Sequence, residues 1–142
     1  MLEATISNLP TDVAIFASAV ADFKIKNEEK EKIKKYDISE LYLEKNTDIL
    51  KHISNHNSLR PKLVVGFAAE TNSIKNNSLK KLSEKNCDWI IANDVSKDDI
   101  GFESDFNKVS IFYKNNYEEN LPKMRKSSLA NEIVNRIISQ LN

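Results

Sequence analysis

Three short apolar runs, each bounded by proline or charge, constrain this chain more than any other feature. They occupy residues 12–21 (DVAIFASAVA), 62–70 (KLVVGFAAE) and 88–94 (DWIIAND). Uninterrupted apolar runs of this length read as strands buried on both faces, the pattern of a parallel sheet. Residues 108–114 (KVSIFYK) alternate instead, with Val109, Ile111 and Tyr113 on one face, and belong nearer an edge. Helical patterns separate the runs. Residues 48–56 place Ile49 and Ile53, with Leu50 beside them, on one face; residues 73–86 carry Ile74, Leu79 and Leu82, with Ser73 or Asn72 as N-cap. Residues 127–141 align Leu129, Ile133, Ile137 and Leu141, and residues 2–10 read as the end of a helix entering the first strand. Strands alternating with helices predict an α/β fold: a three-layer, Rossmann-like, largely parallel sheet with helices on both faces.

Composition removes several functions. Lysine plus arginine balance aspartate plus glutamate at 21 each, so no general cationic surface recruits nucleic acid. The two glycines, Gly66 and Gly101, cannot build a G-x-G-x-x-G turn or a P-loop. One cysteine, Cys87, allows no internal disulfide and suits a reducing cytoplasm, where it reads as a small apolar residue. No run approaches the roughly 20 apolar residues of a membrane helix, and the N-terminus lacks a signal pattern, so neither membrane nor export is expected. His52 and His56 lie four apart after Asp48, but no fourth ligand and no H-E-x-x-H glutamate accompany them, so no metal centre is expected.

Ligands of open α/β sheets bind beyond the carboxyl ends of the strands. Those ends read Ala21-Asp22-Phe23, Phe67-Ala68-Ala69-Glu70 and Ala92-Asn93-Asp94. Any strand must end in something polar, so one such end alone says little. Residues 24–35 form the single charge run, six lysines against three glutamates, interrupted by Ile25 and Ile33 as an ordered docking loop would be.

Taken in order, ASAVADF (17–23), EKIKK (31–35), LEKNTDIL (43–50), VVGFAAET (64–71) and WIIANDVS (89–96) resemble phosphopantothenoylcysteine synthetase, over nearly the whole chain. The resemblance implies a CTP-dependent ligase of coenzyme A biosynthesis, in many bacteria fused behind a flavin-dependent decarboxylase. Such an enzyme activates the carboxylate of 4'-phosphopantothenate with CTP, accompanied by Mg2+, and releases pyrophosphate. Cysteine's amine then displaces CMP from the acyl-cytidylate. Family members generally form homodimers whose sites draw on both subunits.

Residue by residue, the resemblance assigns Lys32 to the nucleotide phosphates, where its charge would offset the charge developing on the attacked α-phosphate. It assigns Lys81 and Lys85 to CTP as well; four apart on one helix, they can share an anion, or form an ordinary exposed stripe. Phe67 corresponds to a nucleotide-contacting aromatic, and otherwise belongs to the core. Phe16, Ala17 and Ser18 border the cytosine, and Asp22 meets ribose hydroxyls, the cytosine amino group or magnesium. Asn46 opens a nucleotide-side turn completed by Thr47, Asp48, Ile49 and Leu50, in which a helix N-terminus would present N–H groups. Thr47 stands where the family usually has proline, a tolerable change because threonine can cap a helix.

The resemblance lacks the family's N-terminal glycine-rich strand-turn-helix and an asparagine-bearing loop. Residues 1–142 therefore read as a single, partial synthetase domain without a decarboxylase part. Two functions follow: a working part of the ligase, with an N-terminal synthetase or decarboxylase segment supplied in trans, or a truncated, non-catalytic remnant that binds nucleotide or dimerises. A sheet lacking its leading strands also exposes an unpaired edge, which favours self-association.

Overall fold

The computed structural model describes residues 1–27, 31, 32, 34, 40–95 and 104–142. Gly101, Ile33 and Lys35 of the charge run, and Ser96 lie outside them. In chain order the elements are α1 (Leu2–Ile6), β1 (Val13–Phe16), β2 (Phe23–Ile25), β3 (Leu43–Lys45), α2 (Ile49–Ser54), β4 (Leu63–Glu70), α3 (Ile74–Lys85), β5 (Trp89–Asp94), β6 (Phe106–Tyr113), β7 (Glu118–Arg125) and α4 (Lys126–Leu141). Five strands form one sheet in the order β1-β4-β5-β6-β7, and β2 pairs antiparallel with β3 in a separate hairpin. β1, β4 and β5 are mutually parallel; β6 runs against β5, and β7 against β6, so four of the five strands point the same way.

Both faces of the central strands are covered. Along β4, Leu63 and Val65 pack with α4 residues Leu129, Ile133 and Ile137, while Val64 and Ala68 pack with Leu50 of α2 and Leu82 of α3. That two-sided burial is the reason residues 63–66 are apolar without alternation. Gly66 leaves room for the α2 layer and the neighbouring strand: a Cβ there would lie 2.5 Å from Leu50 Cδ2 and 3.0 Å from Ile90 Cδ1. Helices on both faces of a mostly parallel sheet confirm the predicted three-layer class.

The structure corrects four details. The first apolar run is not a long strand buried on both faces: the ladder spans Val13–Phe16, β1 ends the sheet order, and Ile15 is 48 % exposed. Beyond Phe16 the small residues Ala17, Ser18 and Ala19 leave the ladder. β6 lies inside the sheet and the edge is β7, which sequence periodicity misses because Pro122 interrupts it and Leu121 is its buried position. Proline is tolerated there because an edge strand need not donate on its outer side. Leu141 does not continue the α4 stripe and is exposed. Each four-residue step drifts by about 40° around a helix, so the fourth position of such a series turns away from the core. Finally, Ser73 occupies the N-cap of α3 in the left-handed region (φ 45°) and makes no capping side-chain bond.

Candidate functional site

A cleft of about 800 Å3 runs along β1 and across the loops that follow β1 and β3. Its wall is built from four places in the chain. β1 and its exit contribute Phe16, Ala17, Ser18 and Asp22; the turn into α2 contributes Asn46, Thr47, Asp48, Ile49 and Leu50; β4 contributes Phe67; α3 contributes Lys85. The N-terminal residues and β1 add Met1, Ala4, Leu9, Val13 and Ile15 together with the polar Thr5, Asn8 and Thr11.

Local bonds hold the two loops together. Asn46 donates its backbone N–H to the Asp22 carbonyl at 2.8 Å and its side-chain amide to the Ala21 carbonyl at 2.8 Å. These bonds lock the exit of β1 against the entry of α2, so Asp22 and Asp48 face the same opening. Asp48, not Thr47, is the N-cap of α2: its Oδ1 accepts from the Lys51 N–H at 2.9 Å. Its Oδ2 meets Lys85 Nζ at 3.1 Å. One carboxylate thus finishes a helix and holds a lysine at the cleft wall. The cap also occupies an N–H group that a free helix terminus would offer an anion, in a helix of only six residues.

Phe67 is 36 % exposed near the end of a strand whose preceding residues are buried, leaving ring surface available for stacking. The carboxylate of Asp22 makes no hydrogen bond or ion pair to another described residue, and is open to a ligand's hydroxyl, amino group or metal. Lys32 is exposed and lies off the cleft wall. Lys81 is also off that wall: its Nζ lies 2.6 Å from Glu70 Oε1. The two α3 lysines are therefore held by separate acids, not gathered on one. Sequence reading named Glu70 as a strand end but gave it no role; its signal, an acid closing an otherwise apolar strand, is common to most strands.

Other chemistry-bearing side chains are structural. His56 Nδ1 accepts from the Leu59 N–H at 3.1 Å, and its ring stands edge-on to His52 at 6.5 Å. Among the described residues no group of three or more His, Cys, Asp or Glu converges on one point. Burial pushes the Cys87 thiol up to about 11, which keeps it protonated and poorly nucleophilic at neutral pH.

Residues 1–141 match the family model described as "DNA/pantothenate metabolism flavoprotein C-terminal domain". The chain belongs to that family. The Bacillus subtilis coenzyme A biosynthesis bifunctional protein CoaBC is 41 % identical over 128 residues, covering 89 % of this chain and 31 % of its own length. The Borreliella burgdorferi protein of the same name is 44 % identical over 126 residues, covering 87 % and 31 %. The chain thus spans about a third of the length of these relatives. A crystal structure of the C-terminal domain of CoaBC superimposes with a TM-score of 0.73 at 34 % identity, over 99 % of this chain and 62 % of that one. A second family structure, from Streptococcus pneumoniae, shares the fold with a TM-score of 0.73 at 19 % identity.

Proposed function

We propose that this chain carries the nucleotide-binding part of a coenzyme A biosynthesis ligase, which joins 4'-phosphopantothenate to cysteine at the expense of CTP. The observation that carries the reading is the cleft itself. It gathers Phe16, Ala17, Ser18, Asp22, Thr47, Asp48, Ile49, Leu50, Phe67 and Lys85, residues scattered over four segments, onto one wall. Family membership and kinship with proteins named CoaBC support it.

The chemistry follows from the groups present. Phe67 offers a ring face to the base or ribose, and the small side chains of Ala17 and Ser18 allow close approach of backbone groups to the base edge. Asp22 accepts hydrogen bonds from ribose hydroxyls or an exocyclic amine. Lys85 on the wall, with Lys81 one helical turn away on the same helix, and Lys32 by resemblance alone, would neutralise the phosphates. The pantothenate carboxylate attacks the α-phosphate, pyrophosphate leaves, and the amine of cysteine then attacks the acyl carbonyl and displaces CMP. Preorganised cations favour the first step because negative charge builds on the phosphoryl oxygens. Magnesium supplies further neutralisation of the triphosphate. Its preference for phosphate and water oxygens, with one or two carboxylates, fits a wall on which Asp22 is available and Asp48 is engaged.

The exposed apolar side chains of the β2–β3 hairpin region, Phe23, Ile25, Leu41, Tyr42 and Leu43, support a homodimer. A second reading, in which the chain binds nucleotide without completing the ligation, is favoured by Lys32 and Lys81 lying off the cleft wall. Incubation with 4'-phosphopantothenate, CTP and magnesium separates the two. Release of pyrophosphate and formation of the acyl-cytidylate support the ligase; CTP binding without either supports the second reading, and no binding of CTP defeats both.

A further inference from the structure

Glu70, the last residue of β4 and its one charged position, is only 8 % exposed, while Phe67 and Ala69 just before it are exposed. Its carboxylate has two partners, both on α3. Oε1 holds Lys81 Nζ at 2.6 Å, and Oε2 accepts from Asn77 Nδ2 at 3.0 Å. The same Asn77 amide reaches the Asn72 carbonyl at 3.1 Å, closing the turn between β4 and α3 on the carboxylate. Ser73 makes no capping bond, and the Asn77 contacts tie the side chain of the first turn, not its backbone N–H groups, to the end of β4.

A buried ion pair seldom stabilises a fold more than apolar residues of the same volume, so stability alone is a weak reason for Glu70. The neighbouring pair suggests another reason. One helical turn along α3, Lys85 is held by Asp48, whose carboxylate is likewise fixed by a second bond, from the Lys51 N–H. In each case a carboxylate anchored by the scaffold grips an ammonium. An ammonium has three donors and a single carboxylate oxygen takes one, while 39 % of the Lys81 side chain is open to solvent.

We propose that Glu70 is a positioning residue that holds the Lys81 ammonium ready, with its remaining donors, for the terminal phosphates of a nucleoside triphosphate bound in the cleft. This rests on the nucleotide reading given above. Glu70 touches no ligand itself; it acts through Lys81.

Calorimetric titration of the protein with magnesium CTP and with CMP tests it, because only CTP carries the terminal phosphates. Glu70→Gln removes the charge that grips Lys81 while keeping side-chain volume. It is expected to weaken CTP about tenfold, the scale of one charge-assisted hydrogen bond, and to leave CMP unchanged. Lys81→Met gives the same pattern, and the double variant binds CTP no worse than Lys81→Met alone. If Glu70→Gln does not fold, Glu70→Asp, which keeps the charge but shortens the reach, reads the same CTP-to-CMP ratio. Equal losses for CTP and CMP would reduce Glu70 to a folding role and overturn the proposal. Tighter or unchanged CTP binding in Glu70→Gln would also overturn it, since the ion pair would then be withholding Lys81 or doing nothing for it. Failure of the unaltered protein to bind CTP would instead defeat the nucleotide reading, and the role of Glu70 with it.

Discussion

At the β6–β7 end of the sheet, charge is turned inward. Arg136 of α4 grips Glu119 through Nε and Nη2 at 2.9 and 2.6 Å, reaches Glu132 at 2.7 Å, and Glu119 accepts from the Tyr113 hydroxyl at 3.0 Å. Beneath this network Val109, Ile111, Leu121, Ile133 and Ile137 are buried. At the β1–β4 end the polar groups open outward. The Asp22 carboxylate has no partner among the described residues, Asp48 and Lys85 pair at the cleft wall, and Ile15, Val20 and Phe67 keep exposed apolar surface. The two ends share one sheet and one neutral chain; one commits its charge to fastening a helix, and the other, beside the paired Asp48 and Lys85, leaves the Asp22 carboxylate uncommitted. On the nucleotide reading proposed above, the end that takes the ligand is the less completely packed one.

The largest expected effect tests that packing difference. Ile133→Ala removes a buried side chain from the α4 layer and should cost about 3 kcal/mol in urea unfolding, whereas Ile15→Ala at the half-exposed edge should cost less than about 1 kcal/mol. Similar losses at the two positions would erase the contrast. Gly66→Ala comes next, because the added Cβ meets Leu50, which lines the cleft, and Ile90. We expect about 1–2 kcal/mol of destabilisation from overpacking. Displacement of Leu50 into the cleft should weaken CTP as well, and a variant less stable but with intact CTP affinity would show that Leu50 yields in another direction.

Titration probes the packed part of the molecule. Burial raises Cys87, at the entry to β5, to about 11, and burial together with the Glu119 carboxylate raises Tyr113 to about 12. For both, the folded state retains the proton more strongly than the unfolded chain does. The resulting stability is complete below the ordinary values of 9.0 for the thiol and 10.0 for the phenol, and is lost as pH rises toward the folded values. Cys87→Ala should flatten the fall in stability between pH 9 and 11, and Tyr113→Phe that between pH 10 and 12. On the acid side the Arg136 guanidinium holds Glu119 below the usual carboxylate range, so its contribution is present above the ordinary value of 4.5 and disappears as pH falls below it. Unchanged slopes in these variants would assign the pH dependence to other groups. The smallest effect belongs to Lys80→Ala, whose 3.8 Å pair with Glu84 is exposed on both sides: about 0.3 kcal/mol, at the margin of measurement.

What the sequence made legible follows the same division. The buried runs of β4 and β5, the α3 pattern and most of the α4 stripe are legible because two-sided burial forces apolar composition at fixed periods. β7 is not, since an edge strand with Pro122 and one buried position carries almost no period. Nor is the short extent of β1: the run from Val13 to Ala21 is apolar but for Ser18, and composition does not say where a neighbouring strand stops pairing with it. At the site, Asp22, Asp48 and Phe67 come from the ordered motifs and Phe16 and Lys85 from the resemblance beside them, and the cleft lining includes all five. The grip of Glu70 on Lys81 is invisible in sequence, because it joins a strand end to a helix eleven positions later through geometry, not spacing.

The most direct measurement is a two-dimensional amide NMR titration of the protein with magnesium CTP. The account predicts saturable shifts concentrated at residues 16–22, 46–50 and 66–70 and near Lys85, with the β6–β7 amides unmoved. Shifts centred on β6, β7 or α4, or none at all, would contradict it.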